Sequence, residues 1–291
     1  VGGSWDDEWE EETGASREDF ASRVQLVHMH LNLAVRPCLL SNSRDFEVAR
    51  QVLRDSYAEE AIFKWLLGDV SSKKDPASAQ TKKDLLLDWV VDWRIASCQS
   101  NSHCLAIPSS ANHPSASRSS AIPSSSASSS LPLDLLGCAL VTCPGSKSNQ
   151  VVSLMSLLAY GASPPTPPEA LGQACKARFA ALEHHSRARD RLGSHTPHWY
   201  IHMLAVSPEH RSKGIGRMMM RIVSALADQD ALPVQLQVSG SRNKAYFEQC
   251  GFRVMEAIDI CCDDSPTLKI FNMTRVPFPK SICLDQVSPP R

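Results

Sequence analysis

Two glycines separated by a single residue, Gly214 and Gly216, lie where the sequence predicts the start of a helix. The helix is predicted from apolar residues at helical spacing, which are Ile215, Met219, Ile222, Val223 and Leu226. Free backbone N–H groups and the positive end of the dipole favour an anion at a helix start, and glycine lets it approach closely. The cationic side chains of Arg211, Lys213 and Arg217 surround the pair. The pattern therefore predicts a loop that binds a diphosphate.

Two known nucleotide motifs do not fit these glycines. A dinucleotide-binding fingerprint needs a third glycine where this chain has Met219, and the G-x-x-x-x-G-K-[ST] loop is absent from the sequence. A bare glycine pair is a weak motif, and a simple turn before a packed helix is the structural alternative. The residues on either side of the loop must therefore decide between these interpretations.

Residues 204–216 form a strand, a turn and the glycine loop, and they resemble the acyl-CoA loop of the GNAT (GCN5-related) N-acetyltransferases, [Q/R]-x-x-G-x-[G/A]. Residues 242–252, Arg-Asn-Lys-Ala-Tyr-Phe-Glu-Gln-Cys-Gly-Phe, resemble a second block of the same family. One helix and the strand-like residues 234–239 lie between the blocks, as in that family. Among the subfamilies, the chain is most similar to small-molecule acetyltransferases typified by puromycin N-acetyltransferase. The similarity lies in His198-Trp-Tyr, the Pro-x-x-Leu run at Pro233 and Arg242-Asn. The resemblance covers roughly residues 33–275, apart from two insertions.

The resemblance implies an α/β fold with a central mixed, mostly antiparallel sheet of about seven strands and flanking helices. We expect the first strand over residues 31–39, a helix from about Arg44, and a closing hairpin from residues 252–260 and 267–275. The apolar run at residues 135–142 predicts a buried strand that pairs with residues 103–108.

We expect one acetyltransferase domain over residues 31–276, flanked by an acidic disordered tail at 1–30 and a C-terminal tail at 277–291. Residues 108–131 are rich in Ser, Ala and Pro, which cannot bury enough apolar surface to order, so they are predicted to be a disordered insertion. Residues 161–197 are predicted to be a second insertion, a proline-rich linker followed by a helix.

Acyl transfer from a thioester to an amine needs a base, a positioned carbonyl and an acid for the leaving thiolate. Strand alternation over residues 198–206 predicts that Tyr200, His202 and Leu204 share one face. The resemblance implies that this face meets the acceptor, and that Tyr200 stands where histone acetyltransferases have a glutamate base. Because imidazole takes up protons near neutral pH, His202 is the candidate base. A histidine packed in the strand is the alternative.

The family tyrosine that serves as the acid has its counterpart here at Phe247, and Tyr246 comes one residue earlier. One residue turns a helical side chain by about 100°, so Tyr246 is the candidate acid only if the start of the helix is altered, and water or another group is the alternative. The resemblance also implies a set of residues that contact the cofactor: Leu204, Ala205, Val206, Arg211, Ser212, Lys213, Gly214, Ile215, Gly216, Arg217, Asn243 and Phe247. No metal site is predicted.

The composition argues against other classes of partner. The net charge of -1 gives no general attraction to nucleic acid or to an anionic membrane. No apolar run approaches the roughly 20 residues that span a bilayer, and no signal peptide stands at the start. We expect an intracellular, cytoplasmic protein, although a chain that begins at Val1 leaves organelle import open. Ten scattered cysteines without metal-ligand spacing indicate reduced thiols.

The function that the resemblance implies is acetyl-CoA-dependent acetylation of a primary amine of a small molecule, by direct attack in a ternary complex. Protein or peptide N-acetylation and a catalytically idle CoA-binding module are the alternatives. The expected partners are acetyl-CoA and a small amine, and the protein is expected to be a monomer or homodimer. Residues 57–67 resemble a segment beside the acceptor pocket. A core-facing turn using Ile62, Phe63, Trp65 and Leu66 is the other interpretation.

Overall fold

The computed structural model describes residues 17–68, 76–101, 103–109, 134–144, 167–193, 197–262 and 266–278. These residues build one sheet of seven strands with helices on both faces. The strands are β1 Cys38–Leu39, β2 His103–Pro108, β3 Leu135–Thr142, β4 Trp199–Val206, β5 Val234–Ser239, β6 Arg253–Ile260 and β7 Leu268–Arg275. The helices are α1 Arg17–Leu31, α2 Ser43–Tyr57, α3 Ala61–Leu67, α4 Pro76–Asn101, α5 Gly172–Gly193, α6 Ile215–Asp230 and α7 Ser241–Gln249. Short 3-10 turns lie at Glu169–Leu171 and Pro208–His210.

The order of the strands is β1-β2-β3-β4-β5-β7-β6, and every neighbouring pair is antiparallel except β4 and β5. The predicted fold class, a mixed and mostly antiparallel sheet of about seven strands, is therefore confirmed. β2 and β3 pair directly across residues 110–133, as the apolar run at 135–142 predicted. Those intervening residues lie outside the described part, so the predicted disordered insertion stays a prediction.

The central strands are buried on both faces, and each face packs against a different pair of helices. Trp199 and Ile201 of β4 lie in a cluster with Met219, Ile222 and other apolar residues of α6. On the opposite face, Met203 lies in a cluster formed by α2, α4 and the neighbouring strands. β4 is therefore packed against helices on both faces, and this packing fixes the positions of its side chains and peptide groups.

The structure differs from the expectation of a disordered tail over residues 1–30. Residues 17–30 belong to α1, and Phe20, Val24 and Val27 are buried against α6 and the sheet. These residues recur at i, i+4 and i+7, so one face of α1 buries apolar surface that stabilises the helix on the domain. The ring of Phe20 also stacks on His103, with centroids 4.0 Å apart. Residues 1–16 lie outside the described part.

The first strand is shorter than predicted. Residues 31–39 were expected to be extended, but Leu31 ends α1 and only Cys38–Leu39 pair in β1. The helix predicted near residue 44 is α2, whose Asn42 cap accepts a hydrogen bond from the Asp45 N–H. No helix among the described residues is long and apolar enough to cross a membrane.

The helix of the predicted second insertion is α5, which follows the 3-10 turn at Glu169–Leu171. Its residues Cys175 and Phe179 are buried against α3, α4 and the closing hairpin. The Arg178 guanidinium donates to the Leu66 carbonyl at the end of α3. α5 is therefore packed on the α3 side of the domain. Residues 161–166 and 194–196 of the predicted insertion are not described.

Candidate active site

The site is organised by a gap between β4 and β5, the only parallel pair in the described sheet. The two strands pair from Trp199 with Val234 to Ile201 with Leu236, and the register ends there. β4 continues to Val206 and stays paired with β3 on its other edge. The edge of β4 from His202 to Val206 is therefore open towards β5.

A β-bulge at His202 marks the start of the open edge. The register with β3 shifts between Leu140, which pairs with Met203, and Val141, which pairs with Ile201. This leaves His202 as the extra residue, and two successive side chains then lie on the same face. Leu204 consequently packs with the α1 and α6 cluster that holds Ile201. The prediction that Tyr200, His202 and Leu204 share a face is wrong for Leu204, because plain alternation takes no account of a bulge.

His202 and Tyr200 do lie together. Their ring centroids are 4.8 Å apart, and Tyr200 is buried whereas His202 is half-buried. The His202 Nε2 atom is 2.7 Å from the Thr142 hydroxyl, which is buried at the end of β3. That hydrogen bond fixes the orientation of the imidazole ring. Sequence reasoning missed Thr142, which lies 60 positions away along the chain.

The open edge of β4 is contacted by the C-terminal end of α2. The Leu204 N–H donates to the Tyr57 hydroxyl at 3.1 Å, and this hydroxyl donates to the Leu204 carbonyl at 3.4 Å. The Ser56 hydroxyl donates to the Val206 carbonyl at 2.8 Å. Because peptide groups alternate between the two edges of a strand, those of Ala205 point towards β3 instead. Leu204 and Val206 thus present their peptide groups to the gap.

The other side of the gap is formed by β5 and the start of α7. The Asn243 side-chain amide donates to Glu60 Oε2 at 2.8 Å and to the Ser239 carbonyl at 3.2 Å. Glu60 caps the start of α3, so this hydrogen bond joins α3 to α7 across the gap. In residues 57–67, Phe63, Trp65 and Leu66 are buried in the core, while Tyr57 contacts β4 and Glu60 contacts α7. That this segment borders an acceptor pocket stays a prediction.

The glycine loop follows the open edge directly. Ser212 has φ 62° and Gly214 has φ 84°, so two left-handed residues turn the chain into α6. Gly214 caps α6 without a side-chain hydrogen bond, and the first helical bond runs from Met218 N–H to the Gly214 carbonyl at 2.9 Å. The N–H groups of the first turn, from Ile215 onwards, therefore have no carbonyl partner within the helix. Such a loop forms an anion-binding concavity.

The three cationic side chains of the loop differ in their contacts. The Arg211 guanidinium donates to the Ser56 carbonyl at 3.1 Å and so ties the loop to α2. Lys213 and Arg217 are exposed beside the first turn of α6. Arg211 therefore has a structural contact in addition to its predicted cofactor role, whereas the other two cations extend into solvent where an anion would approach.

Tyr246 and Phe247 point in different directions from α7. Phe247 is 7% exposed and packs edge-on against Phe252 in the core, with centroids 5.7 Å apart. The Tyr246 hydroxyl lies against the start of α6, because a Cβ added at Gly216 would be 2.8 Å from it. This hydroxyl is buried and makes no hydrogen bond within the described residues, although the Cys250 thiol is near enough to affect its pKa. Burial is the main cause that raises the pKa of Tyr246.

These features fit acetyl-CoA. An open strand edge can pair with the amide groups of its pantetheine arm, and the glycine loop can hold its diphosphate. The buried Tyr246 hydroxyl beside Gly216 lacks the partner that a bound ligand would supply. No cluster of three or more His, Cys, Asp or Glu side chains suited to a metal occurs in the described ranges.

Residues 175–254, which run from α5 into β6, match the family model described as an Acetyltransferase (GNAT) domain. The arylalkylamine N-acetyltransferase 2 from Aedes aegypti is similar at 15% identity and a TM-score of 0.47, over 84% of this chain and 99% of that chain. The histone acetyltransferase HPA2 and related acetyltransferase from Corynebacterium glutamicum gives 16% identity and a TM-score of 0.45, over 84% and 98%. A NatC complex bound to Gag peptide and CoA gives 12% and 0.38, over 84% and 100%. The segment that contains β4, the glycine loop and α7 thus matches the GNAT acetyltransferase domain, which supports an acyl-CoA N-acetyltransferase.

Proposed function

We propose that this protein transfers the acetyl group of acetyl-CoA to a primary amine of a small molecule. The observation that carries the proposal is the loss of β5 as a partner of β4 after Ile201, which leaves an open edge that leads to the glycine loop. A strand edge and a helix start together suit a ligand with amides at one end and a diphosphate at the other.

For the cosubstrate, the first turn of α6 and the exposed Lys213 and Arg217 would hold the diphosphate. Val206 and Leu204 would pair with the pantetheine arm, and Asn243 of α7 would contact the arm from the β5 side of the gap. This assignment is supported by the exposed loop, by its two left-handed residues and by the orphaned Tyr246 hydroxyl beside Gly216. Phe247 would contribute apolar packing below the site rather than a polar group, since it is buried against Phe252.

For the chemistry, the neutral amine attacks the thioester carbonyl carbon directly, without a covalent enzyme intermediate. His202 would accept the ammonium proton, while Thr142 holds Nε2 and Tyr200 packs against the ring. A base held in one orientation contributes about 10²- to 10⁴-fold to such a reaction. Tyr246 remains a candidate to protonate the leaving thiolate, because its raised pKa keeps the phenol protonated.

For the acceptor, a small amine is favoured over a protein by the packing around α3. Trp65 and Leu66 of α3 lie in the same buried cluster as Phe179 of α5, and Arg178 holds the end of α3. A wide peptide groove would need α3 and α5 to separate. Glu60, at the rim of the gap, supplies a negative charge that attracts a cationic amine. A small-molecule acetyltransferase of the puromycin N-acetyltransferase type fits this arrangement.

The test combines calorimetric titration of acetyl-CoA with turnover assays on two matched panels. One panel contains small primary amines, such as arylalkylamines and polyamines, and the other contains short peptides with free α-amino groups or internal lysines. We expect acetyl-CoA binding with saturable acetylation of at least one small amine. Turnover of peptides alone would reassign the acceptor, and binding without any turnover would indicate an idle CoA-binding module. Absence of acetyl-CoA binding would overturn the proposal.

A further inference from the structure

Tyr57 contacts both the N–H and the carbonyl of one residue on the open edge of β4. Its hydroxyl lies 3.1 Å from the Leu204 nitrogen and 3.4 Å from the Leu204 oxygen. Its ring packs edge-on against Phe63, with centroids 6.1 Å apart, so the side chain is anchored on the α3 side. This hydroxyl therefore stands at the point where β4 first offers peptide groups that β5 does not use.

Attack of an amine on a thioester puts negative charge on the carbonyl oxygen. That charge is stabilised by hydrogen-bond donors that are already in place, and each such donor contributes about 10²- to 10³-fold to turnover. The Leu204 N–H is one donor directed into the gap. A second donor must lie beside it and must remain protonated at the pH of the reaction.

We propose that the Tyr57 hydroxyl is this second donor, so that Tyr57 and the Leu204 N–H together bind the oxyanion. The inference rests on the proposed acetyltransferase function and deepens it by adding a catalytic residue. The carbonyl oxygen takes the Leu204 N–H that the Tyr57 oxygen accepts in the ligand-free protein. The hydroxyl then turns its proton from the Leu204 carbonyl to the incoming oxygen.

The step balances without a proton transfer from tyrosine. The amine nitrogen forms a bond to the carbonyl carbon, and the π electrons move to the oxygen, which Tyr57 and Leu204 hold. The C–S bond breaks as the carbonyl re-forms, the electron pair leaves on sulfur, and the proton of the attacking nitrogen passes through water to that thiolate, while His202 keeps the ammonium proton. Tyr57 keeps its proton throughout, in agreement with its burial, which raises its pKa.

Tyr57 is better placed for this role than Tyr246. The Tyr246 hydroxyl lies against Gly216, at the first turn of α6, where the diphosphate is expected. The Tyr57 hydroxyl lies beside Leu204, two residues after the bulge at His202. The candidate base and the candidate oxyanion donors are therefore close in sequence on β4, whereas the Tyr246 hydroxyl lies beside Gly216, near Val206 at the end of that strand.

The experiment measures kcat, KM and acetyl-CoA affinity for Tyr57→Phe, with Ser56→Ala as the matched control. Each change deletes one hydroxyl at the end of α2 that contacts the open edge of β4. We expect Tyr57→Phe to lower kcat by about 10²- to 10³-fold, with acetyl-CoA affinity within about threefold of the native value. Ser56→Ala should not show the loss of about 10²-fold in kcat, because its hydroxyl contacts Val206 and not Leu204, so its effect should fall mainly on acetyl-CoA affinity.

A kcat for folded Tyr57→Phe that stays within about threefold of the native value would overturn the inference. So would equal losses in kcat and acetyl-CoA affinity, because they would mean that Tyr57 only shapes the binding site. Native protein that binds acetyl-CoA but acetylates nothing overturns the catalytic role and the enzyme assignment together. Active native protein with an insensitive Tyr57 leaves the proposed function standing and removes the inference alone.

A spectroscopic measurement does not depend on how well the variant folds. Acetyl-CoA that is isotope-labelled at the thioester carbonyl is bound to the native protein, and its carbonyl stretch is recorded by infrared difference spectroscopy. Hydrogen bonds from Leu204 and Tyr57 weaken the C=O bond, so the band should move to lower frequency than in water and should move partly back in Tyr57→Phe. A native band at or above the frequency in water would contradict the inference.

Discussion

The two halves of β4 differ in their partners, and this difference separates stability from chemistry within one strand. From Trp199 to Ile201, the strand is paired with β5, Tyr200 and Ile201 are also paired with β3, and the side chains are buried. After the bulge at His202, Met203 to Val206 are paired only with β3, and the other edge is contacted by the hydroxyls of Ser56 and Tyr57. The first half holds the fold, and the second half offers groups that a ligand can use.

Polar contacts follow the same division. In the first half, the Trp199 indole N–H donates to Asp230, which also pairs with Arg23 at 2.7 Å. These partners are parts of the scaffold, and no ligand is needed to complete them. In the second half, the partners of Leu204 and Val206 are single hydroxyls on the end of a helix, which a ligand can replace. A hydroxyl can turn away without opening the sheet, whereas a neighbouring strand cannot.

The largest effect is expected from Trp199→Ala, which tests the structural half. Trp199 is 0% exposed and packs among the apolar residues between α1 and α6. Loss of this side chain should lower the free energy of unfolding by about 3–5 kcal/mol. Urea denaturation followed by circular dichroism measures it. A change below about 1 kcal/mol would show that this half of β4 does not hold the fold.

His202→Gln tests the functional half. Removing the base should lower kcat by about 10²-fold or more at neutral pH, equivalent to roughly 2.7 kcal/mol on the barrier. The loss should shrink as the pH approaches the pKa of the amine, because the amine then deprotonates without help. Stability should change by less than about 1 kcal/mol, since His202 is half-buried.

The control for His202→Gln is His198→Gln. His198 also packs beside Tyr200, with ring centroids 6.4 Å apart, but it precedes the paired half of β4. We expect the control to keep kcat within about threefold. Equal losses in the two variants would mean that disturbance of Tyr200, rather than loss of a base, explains the effect.

Gly214→Val tests whether the loop that continues the open edge binds the cosubstrate. At φ 84°, a β-branched residue is strained, and its side chain would occupy the open space in front of the helix start. Acetyl-CoA affinity should fall by about tenfold or more, roughly 1.4 kcal/mol. Isothermal titration calorimetry measures the change.

Gly172→Val is the matched control for the loop. Gly172 also has a positive φ, 80°, and open space around it, and it also stands at the start of a helix, which is α5. Both variants should lose stability through backbone strain of about 1–2 kcal/mol, while only the change at Gly214 weakens acetyl-CoA binding. Equal affinities would remove the diphosphate assignment.

The sequence predicted what depends on local pattern. The glycine loop, α6 and the buried strands follow from residue type and period over short stretches, and the structure contains all of them. The bulge at His202 was missed because it depends on register with β3, and nothing in the sequence of β4 marks it. Tyr57 was not singled out as a site residue because its contact with Leu204 joins residues 147 positions apart.

The smallest effect, and one with an unusual sign, is expected from Tyr246→Phe. The Tyr246 hydroxyl is buried without a hydrogen bond in the described structure, and an unsatisfied buried hydroxyl costs about 1–3 kcal/mol. Its removal should therefore stabilise the ligand-free protein, by about 1 kcal/mol.

If bound acetyl-CoA supplies the missing hydrogen-bond partner, the native protein is stabilised more by the ligand than the variant is. In thermal unfolding, the variant should be more stable than the native protein without acetyl-CoA, and equally or less stable than the native protein with saturating acetyl-CoA. A variant that is less stable in both conditions would mean that the hydroxyl already has a partner in the ligand-free protein. One that stays ahead by the same margin in both would mean that the cosubstrate never reaches this hydroxyl.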